Sequence, residues 1–129
     1  MTLTDKPIIL VVEDDEVVAK LIQVVLEYEG FDVRLAADGL EAKVFITSQP
    51  APALVTLDLD LPHTKGDELM MQIKTTVGWE RVPVIMITGT RKNDAAWAVR
   101  IGAKGHLLKP FQPEDLLKAV RKLVPKKAG

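Results

Sequence analysis

The chain has 129 residues, of which 47% are hydrophobic and 27% charged, with a net charge of −1 and no cysteine. This balance is typical of one globular domain, and it provides no broad positive field for nucleic acid or an anionic membrane. The lack of cysteine excludes disulfides, thiolate catalysis and cysteine-ligated zinc. The polar N-terminus and the lack of an apolar run of about 18 residues predict a cytoplasmic protein with no membrane span.

Short apolar runs alternate with amphipathic segments along the chain. The apolar runs predict strands at Ile8–Val12, Phe31–Ala36, Ala53–Leu57, Val82–Thr88 and Gly105–Leu108. The amphipathic segments predict helices at Glu16–Glu29, Leu40–Thr47, Asp67–Thr76, Asp94–Ile101 and Pro113–Val124. Such alternation predicts an α/β domain, a five-stranded parallel sheet with helices on both faces. We expect residues 1–7 to form an N-terminal extension, 8–124 the domain and 125–129 a C-terminal tail.

Two features of the predicted elements concern their packing. In the first helix, Val18, Leu21, Ile22 and Val25 have the spacing of a core-facing stripe. The second strand alternates more between apolar and polar residues than the first, which predicts a position at the edge of the sheet.

Charged or reactive side chains stand where four of the apolar runs end. The first run is followed by Glu13 and Asp14, the third by Asp58, and the fifth by Lys109, while Thr88 closes the fourth. Because the carboxyl ends of parallel strands meet at one edge of the sheet, we expect these side chains to lie together. Acids, a hydroxyl and an ammonium at one edge predict a site for Mg²⁺ and a phosphoryl group.

The predicted carboxylate cluster indicates a metal site. Glu13, Asp14 and Asp58 would repel one another, and a hard dication with oxygen ligands relieves that repulsion. We expect Asp14 and Asp58 to bind Mg²⁺ directly, Glu13 to act through a water, and the backbone carbonyl of Asp60 to supply another oxygen. The alternative is that these acids only cap helices, with Asp14 or Asp15 as the N-cap of the first one.

Asp58 is also a candidate nucleophile, because carboxylates form aspartyl-phosphates. Lys109 would offset the charge of the incoming phosphoryl group and Thr88 would donate its hydroxyl to it. The alternatives are a surface lysine and an ordinary β-branched strand residue. The Lys109-Pro110 bond is a candidate cis peptide.

Three further residues have open interpretations. His106 could move between exposed and buried positions as Thr88 moves, or could be a static, half-buried edge histidine. His63 follows the site in a loop and is more typical of a solvated histidine. Trp97 in the weak fourth helix is more typical of packing than of a partner surface.

Several motifs together carry a family resemblance. Ile9–Asp15, Leu57–Pro62, Ile87–Gly89 and Leu108–Phe111 resemble those of the receiver domain of bacterial two-component response regulators, of the single-domain chemotaxis-regulator type. The resemblance spans about Ile8 to Val124. It implies a flavodoxin-like, doubly wound fold with strand order 2-1-3-4-5.

The resemblance also implies site roles and partners. Asp58 would take a phosphoryl group from a sensor histidine kinase or a histidine phosphotransfer protein in a Mg²⁺-dependent reaction. Glu13 and Asp14 would form the acid pair, Thr88 the switch hydroxyl and Lys109 the phosphoryl contact. The face formed by the fourth helix, fifth strand and fifth helix would control a downstream protein, without direct contact with nucleic acid or membrane.

The sequence departs from the family pattern near the site. His106 stands where Tyr or Phe is usual, Gly89 where Ala is common, and Lys65 where Asp is common. We expect Gly89 and the acidic Asp60 to shorten the phosphoryl lifetime by easing the access of water.

Other functional interpretations stay open at this point. The chain could be a single-domain regulator or a receiver excised from a larger protein. It could be a pseudo-receiver that only binds a partner. Leu57–Asp60 also resembles the DxD motif of haloacid-dehalogenase-type phosphatases, although here the acid pair precedes the nucleophile strand. We expect no enzymatic turnover beyond self-catalysed phosphorylation and dephosphorylation.

Overall fold

The computed structural model of the protein describes residues 6–62, 64–89 and 94–124, without the side chains of residues 94 and 95. The expectation for His63, the course of residues 1–5 and the predicted tail at 125–129 lie outside the described residues. Among the residues that are described, no helix has the length and apolar character needed to cross a bilayer.

Five parallel strands form one sheet in the order β2-β1-β3-β4-β5. The strands are β1 at Ile8–Val12, β2 at Asp32–Ala36, β3 at Leu54–Asp58, β4 at Val84–Thr88 and β5 at Gly105–Leu108. The helices are α1 at Glu16–Glu29, α2 at Gly39–Ser48, α3 at Gly66–Thr75, α4 at Asp94–Arg100 and α5 at Pro113–Leu123. The predicted fold class and strand order are confirmed, and β2 lies at an edge as expected.

The boundaries of two strands differ from the prediction in ways that matter for the site. β3 begins one residue later than expected and includes Asp58 as its last residue, paired in register with Ile87 of β4. β4 begins at Val84, because Pro83 has no N–H for the sheet; the Pro83 carbonyl still accepts the Val55 N–H at 3.0 Å.

The cap of α1 separates the roles of two neighbouring acids. The Asp15 side chain accepts the N–H groups of Val17 and Val18, at 2.9 and 3.3 Å, which makes it the N-cap. Gly30 ends the same helix at φ 107°, a left-handed conformation that glycine adopts without strain. Because Asp15 satisfies the helix N-terminus, Asp14 is not needed as a cap.

The sheet separates two apolar layers, because successive strand residues point to opposite faces. On one face α1 and α5 cover β1 and its neighbours, with Ile22, Leu26, Leu116 and Val120 buried. The opposite face is covered by α2, α3 and α4 and includes Trp79.

The packing of α1 corrects one sequence expectation. Leu21, predicted to face the core, is 40% exposed, while Ala19, Ile22 and Leu26 are the buried residues. The helix carries apolar side chains on more than one face, so periodicity alone did not fix its rotation. The expectation that Leu21 faces the core is therefore wrong.

One buried hydroxyl in β3 has no hydrogen-bond partner. Thr56 is fully buried, and its Oγ1 is unsatisfied. A buried hydroxyl without a partner costs about 1–3 kcal/mol. We therefore expect Thr56→Val, which keeps the side-chain shape, to raise the free energy of unfolding by about 1 kcal/mol.

Urea denaturation measures this change. Thr47→Val provides the control, because the exposed Thr47 hydroxyl already bonds to the Lys43 carbonyl at 3.0 Å, so no buried donor is relieved there. A loss of stability in Thr56→Val would contradict the prediction.

Candidate metal and phosphoryl-transfer site

The carboxyl ends of β1 and β3 bring three carboxylates together. One oxygen from each of Glu13, Asp14 and Asp58 lies within 4.8 Å of the others. Glu13 and Asp58 are only 2% and 1% exposed, whereas Asp14 faces solvent. The juxtaposition predicted from the strand ends is therefore present, with two buried acids and one that solvent can reach.

Lys109 supplies the positive charge at this edge. Its Nζ lies 3.0 Å from Asp58 Oδ2 and 3.3 Å from Glu13 Oε1. Its backbone N–H donates to the Thr88 carbonyl at 2.7 Å, and the Lys109-Pro110 peptide is cis, as predicted. Burial alone would lower the pKa of Lys109, but the hydrogen bond and the charge of Asp58, followed by Glu13, raise it above the ordinary value. The ammonium therefore stays protonated.

The Asp58 carboxylate is held from two sides. Oδ1 accepts the backbone N–H of Asp60 at 2.9 Å, while Oδ2 faces Lys109. The Leu59 N–H donates to the Ile87 carbonyl at 2.8 Å, which extends the pairing of β3 with β4 past the acid. These contacts fix the orientation of the carboxylate at the end of its strand.

Glu13 is an acid in an unfavourable position when no cation is bound. Burial, with the adjoining Asp58 carboxyl, raises the pKa of Glu13 to about 7, against the opposing effects of the Asp15 N–H and Lys109. Oε2 accepts the Asp15 N–H at 3.1 Å, whereas the buried Oε1 accepts no hydrogen bond. Oε1 lies 3.3 Å from Lys109 Nζ, but Nζ donates its hydrogen bond to Oε2, at 3.5 Å. An orphaned, buried carboxylate oxygen among other carboxylates fits a hard divalent cation.

Thr88 and His106 form a direct contact behind the site. Thr88 Oγ1 lies 2.8 Å from His106 Nε2, with Thr88 fully buried and His106 half-buried. His106 is thus half-buried on an edge strand and in contact with Thr88. Its part in switching stays a prediction.

Sequence reasoning missed the contact made by the Asp60 side chain. Asp60 Oδ2 accepts the backbone N–H of Gly89 at 3.2 Å and so joins the loops that follow β3 and β4. From the sequence we considered the Asp60 carbonyl as a metal ligand and its acidic side chain as an aid to water access, but no contact with Gly89. Both of those roles stay predictions. The available signal was the position of a second acid two residues after Asp58.

Residues 9–121 match the family model of the response regulator receiver domain. The chain belongs to this family. Receiver domains of response regulators are signalling modules of two-component systems, so the predicted class of function is confirmed.

Curated relatives include longer response regulators that are named as DNA-binding. The chain is 36% identical over 114 residues to the DNA-binding response regulator MtrA of Mycobacterium tuberculosis, covering 88% of this chain and 48% of that protein. It is 33% identical to the DNA-binding dual master transcriptional regulator RpaA of Synechocystis, covering 92% and 49%. The chain thus spans about half the length of the curated relatives it matches. The prediction of no direct contact with nucleic acid remains a prediction.

Solved structures of receiver domains superpose closely. A CheY-like receiver domain protein of Methanospirillum hungatei has a TM-score of 0.82 at 28% identity, over 92% of this chain and 93% of that one. The receiver domain of a Pseudomonas aeruginosa sensor histidine kinase has a TM-score of 0.83 at 26% identity, over 94% and 99%. That structure has a magnesium ion coordinated in its active site cleft.

The raised pKa of Glu13 predicts how the metal-free domain responds to pH. An unfolded glutamate ionises near 4.5 and folded Glu13 near 7, so the unfolded chain loses this proton first. Stability from this group therefore falls as pH rises from about 4.5 to 7 and stays low above that range. At pH 7.5 in EDTA we expect Glu13→Gln to be more stable than wild type by about 1–3 kcal/mol, and near pH 4.5 much less so.

Urea denaturation across this pH range measures the difference. Glu16→Gln is the matched control, since Glu16 is exposed at the start of α1. If the free energies of unfolding of wild type and Glu13→Gln change with pH in parallel, the burial of Glu13 has no electrostatic cost.

Proposed function

We propose that Asp58 accepts a phosphoryl group from a phosphohistidine and that the domain is a phosphorylation-activated switch. The observation that carries the proposal is the contact of a buried carboxylate, Asp58, with the Lys109 ammonium beside two further acids. Isolated surface acids do not have such surroundings. The combination is suited to an anionic group that arrives and leaves.

The reaction joins an Asp58 carboxylate oxygen to phosphorus and breaks the bond from phosphorus to the histidine nitrogen of the donor. The phosphoryl group is transferred without a change of oxidation state, and the donor imidazole departs. Lys109 counters the charge that develops on the phosphoryl oxygens, as fixed cations do in phosphoryl transfer. Asp60, through its N–H on Oδ1, keeps the carboxylate in one orientation.

Mg²⁺ is the cofactor that the donor set fits. We propose that Asp14 and Asp58 bind it directly, with Glu13 acting through water and the Asp60 carbonyl as a further oxygen. When bound, the ion neutralises negative charge on the acids and the phosphoryl group. The buried Oε1 of Glu13 supports this assignment, because it accepts no hydrogen bond from the described residues although the Lys109 ammonium is 3.3 Å away.

The conformational change would extend from Thr88 to β5 and to the helices that pack on it. A hydroxyl drawn to the phosphoryl group leaves His106 Nε2, to which it is now bound at 2.8 Å. His106 lies on β5, and α4 and α5 both pack on that strand. We propose that this α4–β5–α5 face, with half-buried Trp97, changes and controls a downstream protein.

A protein donor needs a surface beside Asp58, and α1 offers one. Val17, Leu21, Val24 and Tyr28 are exposed at a spacing that places them on one face of the helix. Next to it is a depression of about 270 Å³, lined by Val18, Leu21, Lys109, Pro110 and Phe111. This apolar face supports docking of a sensor histidine kinase or a histidine phosphotransfer protein.

Intact mass after incubation with Mg²⁺ and acetyl phosphate tests the acceptor. We expect one adduct of about 80 Da in wild type and none in Asp58→Asn. Asp67→Asn, an exposed acid at the start of α3, is the control and should be labelled like wild type. Lack of an adduct under conditions that label an authentic receiver would contradict the proposal.

The same experiment separates the alternatives. A pseudo-receiver gives no adduct and no dependence on Mg²⁺. A phosphatase releases phosphate from a phosphomonoester in many turnovers. The proposed switch releases only the phosphoryl group that Asp58 has taken from its donor. Self-catalysed transfer and hydrolysis are the extent of the chemistry we propose.

Gly89 is expected to shorten the lifetime of the adduct. Among the described residues, a Cβ atom built at Gly89 meets Asp60 Oδ2 alone, at 3.4 Å, which is ordinary contact, so alanine fits against them without rearrangement. The added methyl group would hinder water at this edge. We expect Gly89→Ala to slow hydrolysis roughly threefold, or about 0.6 kcal/mol of barrier.

A chase by intact mass after removal of acetyl phosphate gives the rate. Hydrolysis of the adduct in denaturant is the control, because the side chain at position 89 cannot shield it there. An unchanged or faster rate in folded Gly89→Ala would refute the role of Gly89.

A further inference from the structure

Two hydrogen-bond donors at the end of β4 are both held by side chains from other elements. The Thr88 hydroxyl contacts His106 of β5, and the Gly89 N–H contacts Asp60 after β3. We propose that Asp60 and His106 are positioning residues that occupy these donors in the unphosphorylated domain, and that the phosphoryl group must displace both. This inference rests on the proposed function of Asp58.

Asp60 is placed to act as a stand-in for the phosphoryl group. Its own N–H binds Asp58 Oδ1 at 2.9 Å, so its backbone is fixed to the acceptor. Its carboxylate reaches across to the Gly89 N–H at 3.2 Å. An anionic oxygen is therefore already bound at that amide, which shows that the amide can hold one. A phosphoryl group on Asp58 would bring a second anion toward the same donor.

His106 holds the neighbouring donor. When its Nε2 is unprotonated, it accepts the Thr88 hydroxyl proton across 2.8 Å. When Nε2 carries the proton, it donates to Oγ1 and the hydroxyl turns to the Gly89 carbonyl, at 3.4 Å. In both tautomers the hydroxyl proton has a partner within the protein. It reaches a phosphoryl oxygen only by leaving that partner.

The sheet register places both donors beside the acceptor. Asp58 pairs with Ile87, so Thr88 and Gly89 are the next residues along the adjacent strand. A phosphoryl group adds three acceptor oxygens that carry up to two negative charges, while the charge of the Asp58 carboxylate is lost in the new bond. It attracts the two donors and repels the Asp60 carboxylate. Displacement therefore releases the Asp60 side chain from Gly89 and the His106 side chain from Thr88.

The two contacts should release together, because their donors belong to consecutive residues. A phosphoryl group that draws Thr88 away from His106 also moves Gly89 relative to Asp60. Removal of one contact should then ease the loss of the other. Coupling of this kind appears as non-additivity in a double-mutant cycle.

The full chain tests this with Asp60→Ala, His106→Phe and the double variant. The rate of adduct formation with Mg²⁺ and acetyl phosphate should rise about five- to tenfold in each single variant. The double variant should gain less than the product of the two. Asp60→Asn keeps an acceptor oxygen without the charge, so its rate should fall between wild type and Asp60→Ala.

The Gly89 amide resonance provides a readout that a general loosening would not mimic. In free protein its ¹H shift should differ between wild type and Asp60→Ala, because only wild type bonds it to a carboxylate. With Mg²⁺ and beryllium fluoride as the phosphoryl mimic, the two shifts should converge. Asp60→Asn, with its neutral acceptor, should be intermediate in the free state alone.

The outcomes separate this proposal from the one it rests on. A wild type that forms no adduct overturns both. A wild type that forms the adduct, with unchanged rates in the variants or shifts that do not converge, overturns only the positioning role of Asp60 and His106. Faster labelling with convergent shifts supports it.

Discussion

The ion pair of Lys109 with the buried carboxylates of Glu13 and Asp58 is the constraint on which the site depends. Two acids this close repel each other, and burial makes that repulsion stronger than in water. One ammonium, 3.0 Å from Asp58 and 3.3 Å from Glu13, offsets only part of it. Burial, and after it the adjoining Asp58 carboxyl, raise the pKa of Glu13 in spite of Lys109. The arrangement of these charges therefore favours the binding of a further positive charge.

Packing of the rest of the fold offsets the electrostatic cost of this arrangement. Glu13, Asp58 and Lys109 stand at the carboxyl ends of β1, β3 and β5. These strands belong to one sheet whose two faces are both buried under apolar layers. The packing free energy of those layers holds the charges in place, and the edge of the sheet leaves Asp14 open to solvent. The apolar layers thus provide the stability, and the reactive side chains lie at their edge.

The sequence predicted the parts of the site that follow from strand ends. Asp58 and Lys109 could be placed because parallel strands share one carboxyl edge. The orientation of Leu21 was predicted wrongly, since α1 has apolar residues on two faces and the choice depends on its packing. The Asp60–Gly89 contact could not be predicted, because it joins two loops through space. Trp79, buried against Phe45 with its Nε1 on the Gln49 carbonyl at 3.3 Å, likewise has no local signal.

Calorimetric titration of the metal-free domain with Mg²⁺ near pH 7, in two buffers of different ionisation enthalpy, tests the central claim most directly. The account predicts saturable binding at one site with release of a fraction of a proton, since Glu13 must ionise. It predicts an affinity at least about tenfold weaker, or 1.4 kcal/mol, in Asp58→Asn. Absence of saturable binding, or equal affinity in Asp58→Asn, would contradict the claim that these carboxylates form a cation site.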